Sequence, residues 1–229
     1  MDISIILPTY NEKDNIIDLV NQIIETNKNF TFEILIVDDD SPDGTYTICK
    51  NKFENNSNIK VLLRKKDRGL AKSIRTGIEN SLGNHIVVMD TDLTHDPILI
   101  KEMISLSSQY DIISGSRYCV GGSMEDQLHS KLSYYYNIML KFILKTQIED
   151  NLGGFFCIKR SSMTQLSYDK IFYGYGEYFF RLLFFAKKKN FSILEIPAFY
   201  KKRIKGKSKS KFFYMFYKYC IEAVKLRIN

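Results

Sequence analysis

The sequence predicts an α/β protein, a mostly parallel sheet with helices on both faces. Three observations predict it. Short runs of Ile, Leu and Val recur through the first half of the 229 residues. Segments with apolar residues at helical spacing separate them. The runs are continuous rather than alternating, as strands buried on both faces are.

The elements follow in order. "ISIIL" is a strand stopped by Pro8, and "DNIIDLVNQIIETN" a helix with Ile16, Leu19, Val20 and Ile23 on one face, starting near a capping Asp14 or Asn15. "FEILIV" is a second strand, running into Asp38-Asp39-Asp40 and the turn Ser41-Pro42-Asp43-Gly44, where Ser41 or Asp43 can cap the helix "TYTICKNKF". "IKVLLRK" is a strand, "GLAKSIRTGIENS" a helix opening at Gly69, and "HIVVM" a strand ending in Asp90-Thr91-Asp92. "PILIKEMISLSS" is a helix with Pro97 in its first turn, and "DIISGSRY" a strand.

After Tyr118 the alternation breaks. "GGSMEDQ" reads as a loop, "LHSKLSYYYNIMLKFILKTQ" as a helix, and "LGGFFCIKR" as a loop entering a strand. "YGEYFFRLLFFAKKKN" is a helix, "FSILEIPAFYKKR" a strand, and "FFYMFYKYCIEAVKLRIN" a terminal helix. We find no repeat and no long linker. One domain is expected over residues 1–229, with parts at 1–115, 116–211 and 212–229.

Charge divides with these parts. Residues 1–115 carry 12 Lys/Arg against 18 Asp/Glu, and the remainder 21 against 8. The acidic half points to metal or nucleotide work. The basic half points to phosphate groups, an anionic membrane surface or nucleic acid. Nucleic acid is the weakest of these, because the cations crowd one segment, "KKRIKGKSKSK", and the other half is acidic. The four cysteines are far apart, which indicates neither a zinc site nor a disulfide framework. No basic leader precedes the first strand, and no apolar run is long enough to span a bilayer.

In a parallel sheet the ligand crevice lies beyond the carboxyl ends of the strands. Pro8-Thr9-Tyr10, Asp38-Asp39-Asp40 and Asp90-Thr91-Asp92 all fall there. Asp90 and Asp92, one residue apart, are hard oxygen donors suited to Mg²⁺ or Mn²⁺ completed by a diphosphate. The plain alternative is a solvated turn. Asp39 can accept a base ring N–H and Tyr10 can stack on a base. His95 reads equally as an exposed turn residue or a ligand. Arg64, Lys65, Lys66 and Arg68 around Gly69 either meet phosphate or are solvated. The aromatic-rich terminal helix, with Lys211 and Lys218, reads evenly as an interfacial membrane helix or a helix packed on the sheet.

"PTYNE", "IVDDDSPDGT", "RGLAKSIRTGIENSLG", "MDTDLTHDP", "GSRY" and Arg203-x-x-Gly206-x-Ser208-Lys209 occur in an order and spacing that resembles the family 2 glycosyltransferases of the GT-A fold. Within them the chain is most similar to the dolichyl-phosphate (polyprenyl-phosphate) mannose synthases, over about residues 3 to 220. The resemblance implies a Rossmann-like sheet with a C-terminal amphipathic helical extension. It implies Pro8, Tyr10, Glu12, Val37, Asp39, Asp90, Thr91, Asp92 and Lys209 as nucleotide-sugar contacts. Asp90, Asp92 and Thr94 become the metal set, Thr94 standing where the family commonly has Gln. Arg117, Lys131, Ser133 and Arg203 become the acceptor-phosphate set, and Asp92, Arg117, Lys131 and Arg203 the catalytic residues. Gly153 stands where the family has Ser.

The implied reaction is metal-dependent and inverting. It moves a sugar, first of all mannose from GDP-mannose, onto a polyprenyl (dolichyl) phosphate. A UDP-sugar donor with another lipid phosphate or a glycan as acceptor is the nearest alternative. A non-catalytic nucleotide-sugar-binding subunit is one of another class. The resemblance further implies a cytoplasmic protein peripheral to a membrane (the endoplasmic reticulum in a eukaryote), with a membrane-anchoring partner subunit and no nucleic-acid partner.

Overall fold

The computed structural model describes residues 1–202 and 212–228, without the side chains of 128 and 212–216. Its centre is a seven-stranded sheet in the order β3-β2-β1-β4-β7-β5-β8. β1 (Ile3–Thr9) lies parallel between β2 (Phe32–Asp38) and β4 (His85–Val88), and β3 (Ile59–Leu63) forms the edge beside β2. On the other side β7 (Phe156–Lys159) runs antiparallel between β4 and β5 (Ile112–Ser116), and β8 (Ile193–Pro197) is parallel to β5. The chain builds outward from β1 to β3 and then returns to place β4 beside β1. That reversal opens the crevice at the carboxyl ends of β1 and β4.

Both faces are covered. Ile3, Ile5 and Leu7 of β1 join Ile34 and Ile36 of β2 under α1 (Ile16–Thr26), α2 (Thr45–Phe53) and α4 (Leu99–Leu106). Ile6, Leu35 and Val37 point the other way, under α3 (Leu70–Glu79) and α8 (Glu177–Lys188). α3 sits close because Gly77 has no side chain, and a Cβ there would overlap Ile6 Cγ2 and reach 3.3 Å from Val37 Cγ2. Gly77→Ala is expected to destabilise by about 1–3 kcal/mol, the cost of overpacking a filled core. Denaturant unfolding checks it, and an unchanged midpoint would show that α3 is free to lift.

Helix starts depart from the sequence reading at two helices: α4 begins at Leu99 after the cap Ile98, so Pro97 precedes the helix instead of lying in its first turn, and α1 lacks its expected cap. Asn15 precedes α1 but its amide donates to Glu12 Oε2 at 2.8 Å instead of capping. Asp43 behaves as expected, accepting from the N–H and hydroxyl of Thr45 at the start of α2.

β6 (Ser123–Met124), in the stretch read as a loop, pairs in parallel with β9 (Phe199–Tyr200). α5 (Gln127–Leu144) follows β6, and two short helical turns, α6 (Arg160–Met163) and α7 (Tyr168–Ile171), follow β7. The terminal helix α9 (Phe212–Ile228) packs one face on α5 and α8 through Tyr219 and Ala223. Lys218 pairs with buried Glu177 at 2.9 Å, and Glu222 with buried Arg181 at 3.1 Å. Its other face exposes Tyr217, Ile221, Val224 and Ile228, so the helix packs on two other helices rather than on the sheet and presents apolar residues on its outer side. None of the described helices is long and apolar enough to cross a membrane.

Candidate active site

The strand ends are stitched together where the crevice opens. Asp39 N–H donates to Thr9 O at 3.0 Å, and the Thr91 hydroxyl to Pro8 O at 3.3 Å. The chain then turns sharply at Asn11, Asp40 and Leu93, all at positive φ. Asn and Asp tolerate that region, whereas at Leu93, next to Asp92, it is costly and must be held by its surroundings. Around these ends lies a cavity of about 670 Å³, within the range of small-molecule sites. Pro8, Tyr10, Glu12, Asp39, Asp90, Thr91 and Asp92 all line it. Val37 does not, because its side chain points into the core beneath α3.

Asp39 is already engaged. One oxygen receives the Arg64 guanidinium and the other the Gly69 N–H at the start of α3. Arg64 also donates to Ser73 Oγ at 2.8 Å, so Arg64 serves the wall. Arg68 lines the cavity instead, half exposed and 3.9 Å from Asp40 Oδ2. Asp38 belongs to the turn, accepting from both the N–H and the hydroxyl of Ser41.

Beneath the D-x-D turn lies His95, which is buried and therefore not the exposed turn residue that one sequence reading allowed. Its ring stacks on Phe155 at 4.8 Å and meets Tyr200 edge-on at 4.6 Å. Burial lowers its pKa to about 4, so the ring is neutral at neutral pH. Nδ1 accepts the Asp90 N–H at 3.1 Å, which leaves the proton on Nε2. His95 thus holds the backbone of the turn. Thr94 has a similar supporting place: its N–H and hydroxyl both donate to Asp92 Oδ1, at 3.2 and 2.6 Å, and it does not line the cavity.

Two hard carboxylates on a cavity wall fit a divalent cation of the Mg²⁺ or Mn²⁺ kind. Among the described residues no group of three or more His, Cys, Asp and Glu is gathered for a metal. The protein would therefore supply only part of the shell, and phosphate oxygens and water the rest.

The rest of the cavity wall is built largely by the second half of the chain. Arg117 lies just after β5, buried, and gives Nε and Nη2 to the two oxygens of Asp150 at 2.8 and 2.7 Å. Burial alone would lower the Arg117 pKa, but Asp150 more than offsets this and raises it. Tyr118 and Tyr200 flank the guanidinium at 5.1 and 5.0 Å. Glu195 orients this pair by accepting the N–H groups of Glu149 and Asp150 at 2.7 and 2.9 Å. Ser133 also lines the cavity, from the inner face of α5. Lys131, two residues earlier, falls on the opposite, exposed side, and the structure does not bring it to the cavity. Arg203 and Lys209 lie outside the described residues.

Several lining residues escaped the sequence reading. His129 and Tyr136 share the Ser133 face of α5 at helical spacing, a signal available in "HSKLSYYY". Tyr175, Tyr178 and Tyr219 line the cavity from around α8 and from α9. Only their long-range packing reveals them.

This arrangement can be set beside known proteins. The Glycosyl transferase family 2 profile matches residues 4–167. A dolichol-phosphate mannosyltransferase of Pyrococcus furiosus is 33% identical over 218 residues, covering 92% of this chain and 60% of that protein. One of Mycosarcoma maydis is 30% identical over 168 residues, covering 69% and 57%. The chain thus spans less than two thirds of the length of these relatives. Among solved structures, glucosyl-3-phosphoglycerate synthase of Mycobacterium tuberculosis in complex with Mn²⁺, UDP and phosphoglyceric acid superposes with a TM-score of 0.76 at 14% identity, covering 99% of this chain and 78% of that one. That likeness concerns the fold, a mostly parallel sheet flanked by helices. Taken with the sequence matches, which run through most of the residues that line the cavity, it leaves one assignment: the chain belongs to glycosyl transferase family 2.

Proposed function

We propose that the protein is an inverting glycosyltransferase that moves mannose from GDP-mannose to a polyprenyl phosphate. The observation that carries this reading is a single cavity lined by Asp90 and Asp92 and also by Arg117 and Ser133. The difficult step is departure of a diphosphate from a sugar carbon. A divalent cation held by Asp90 and Asp92 supplies charge neutralisation for that leaving group. The acceptor needs no protein base, since a phosphate monoester with a second pKa of about 6 is largely dianionic at neutral pH. It does need positive charge and orientation. Arg117, neutralised by Asp150, serves orientation. Arg203 and Lys209 supply the excess charge in this reading, and Lys131 meets anionic headgroups from the outer side of α5. The names of the two relatives support mannose and a dolichol-type acceptor.

A polyprenyl acceptor places the enzyme on a membrane. Leu132, Tyr135, Ile138 and Phe142 of α5 are exposed, as are Tyr217, Ile221, Val224 and Ile228 of the neighbouring α9. Both helices also reach the cavity, through Ser133 and Tyr219. Phe142 is 84% exposed, so Phe142→Asp should fold normally. It is expected to weaken binding to anionic vesicles roughly tenfold, the loss of a buried aromatic and its replacement by a charge. Co-sedimentation checks this, and unchanged binding would move the membrane face elsewhere.

The function itself is tested by incubating the protein with Mg²⁺ or Mn²⁺, GDP-mannose or UDP-glucose, and a short polyprenyl phosphate, with the product identified by mass. Mannosyl phosphoprenol is expected. A glucosyl product would transfer the reading to UDP-sugar donors, and donor hydrolysis alone would remove the lipid acceptor.

A further inference from the structure

We propose that Tyr200 is the positioning residue that joins the D-x-D turn to the Arg117–Gly153 wall of the cavity, with its hydroxyl occupying the space of a side chain at position 153. The proposal rests on the reading of that turn and that wall as donor and acceptor sites. Tyr200 is buried and does not line the cavity, yet it touches the supports of both. Its ring meets His95 edge-on at 4.6 Å, and His95 holds the Asp90 N–H. The same ring lies 5.0 Å from the Arg117 guanidinium. Its hydroxyl donates to Gly153 O at 3.2 Å, with Gly115 O behind it at 3.5 Å. The next residue fastens the strand to the same turn, Lys201 N–H donating to Thr94 O at 3.1 Å and Lys201 Nζ pairing with Asp96 at 3.2 Å.

Gly153 is the wall that this hydroxyl fixes. A Cβ added there would stand 3.1 Å from the Tyr200 hydroxyl, 3.2 Å from Gly115 O and 3.3 Å from Asp150 Cγ. The phenol and a residue-153 side chain therefore compete for one volume. Gly153 and its neighbours Leu152 and Gly154 line the cavity, so a shift of this wall reshapes the part read as the acceptor site. The ring and the hydroxyl have separable roles. The ring steadies the D-x-D turn through His95 and covers Arg117, and the hydroxyl holds the wall.

The test is a cycle of Tyr200→Phe, Gly153→Ser and their double variant, with Tyr200→Leu alongside. Thermal midpoints and Mn²⁺ affinity in the presence of GDP or UDP are read by calorimetry, and KM for a short prenyl phosphate by transfer. Tyr200→Phe keeps the ring, so KM should rise several-fold while Mn²⁺–nucleotide affinity holds. Tyr200→Leu should weaken that affinity about tenfold, the scale of coupling between touching residues. Gly153→Ser alone should lower the midpoint, and the double variant should recover part of that loss. An additive cycle would overturn the shared volume, and unchanged Mn²⁺–nucleotide affinity in Tyr200→Leu would overturn the link to the turn. A non-additive cycle with weakened Tyr200→Leu binding, in a protein that transfers nothing to prenyl phosphate, would uphold Tyr200 and reject the acceptor reading instead.

Discussion

Asp92→Asn should cut sugar transfer by about 10³-fold or more, with Mn²⁺ affinity falling alongside. The side chain is nearly buried and its Oδ1 already takes the Thr94 N–H and hydroxyl. An amide oxygen can accept the same two bonds, so the turn keeps its shape. What disappears is one unit of negative charge on the wall proposed to hold a cation. Losing a single preorganised electrostatic contact to a developing charge costs about 10²–10³ in rate, and a cation lost with its ligand removes more. The control is the thermal midpoint, expected to stay near wild type because the variant preserves volume and the two bonds from Thr94. Turnover near normal with saturating Mg²⁺ or Mn²⁺ would end the metal assignment. Unfolding of the variant would instead show Asp92 to be a structural carboxylate.

Asp92 was legible in the sequence for a physical reason. A strand buried on both faces must read as an apolar run, and whatever follows it emerges at the crevice. Position along the chain then fixes position in the fold for Tyr10, Asp39 and Asp90 as well. The direction of β7 was not legible, because "FFCIK" buried on both faces looks the same whichever way it runs. His95 was misjudged for a related reason. Its burial comes from Phe155 and Tyr200, which lie far along the chain and leave no mark on "LTHDP". Val37 and Lys131 show where matching a motif position falls short of geometry. Alternation along β2 turns Val37 into the core, and helical spacing turns Lys131 away from Ser133.

Arg117 shows the same gap in its energetic form, and removing its partner should have the largest effect on stability. Asp150→Ala is expected to destabilise the fold by about 3–5 kcal/mol, the cost of stranding a buried charge. At this chain length the melting midpoint would fall by roughly 10 °C. The family resemblance presents Arg117 as a cation available to a phosphate, whereas the structure gives two of its donor nitrogens to Asp150 and surrounds the guanidinium with Tyr118 and Tyr200. Asp150 has more to lose than this pair, since it also accepts the Arg117 and Leu152 N–H groups, both on the cavity wall. Two views of Arg117 separate in whatever fraction of the variant stays folded. If Arg117 acted as a bare charge, freeing it from Asp150 would tighten phosphate binding. In the proposed role, orientation, KM for the acceptor should rise instead. Urea unfolding measures the first effect and transfer kinetics at low temperature the second. A loss below about 1 kcal/mol, the scale of an exposed ion pair, would mean that water reaches the pair and that Arg117 is not committed to the wall.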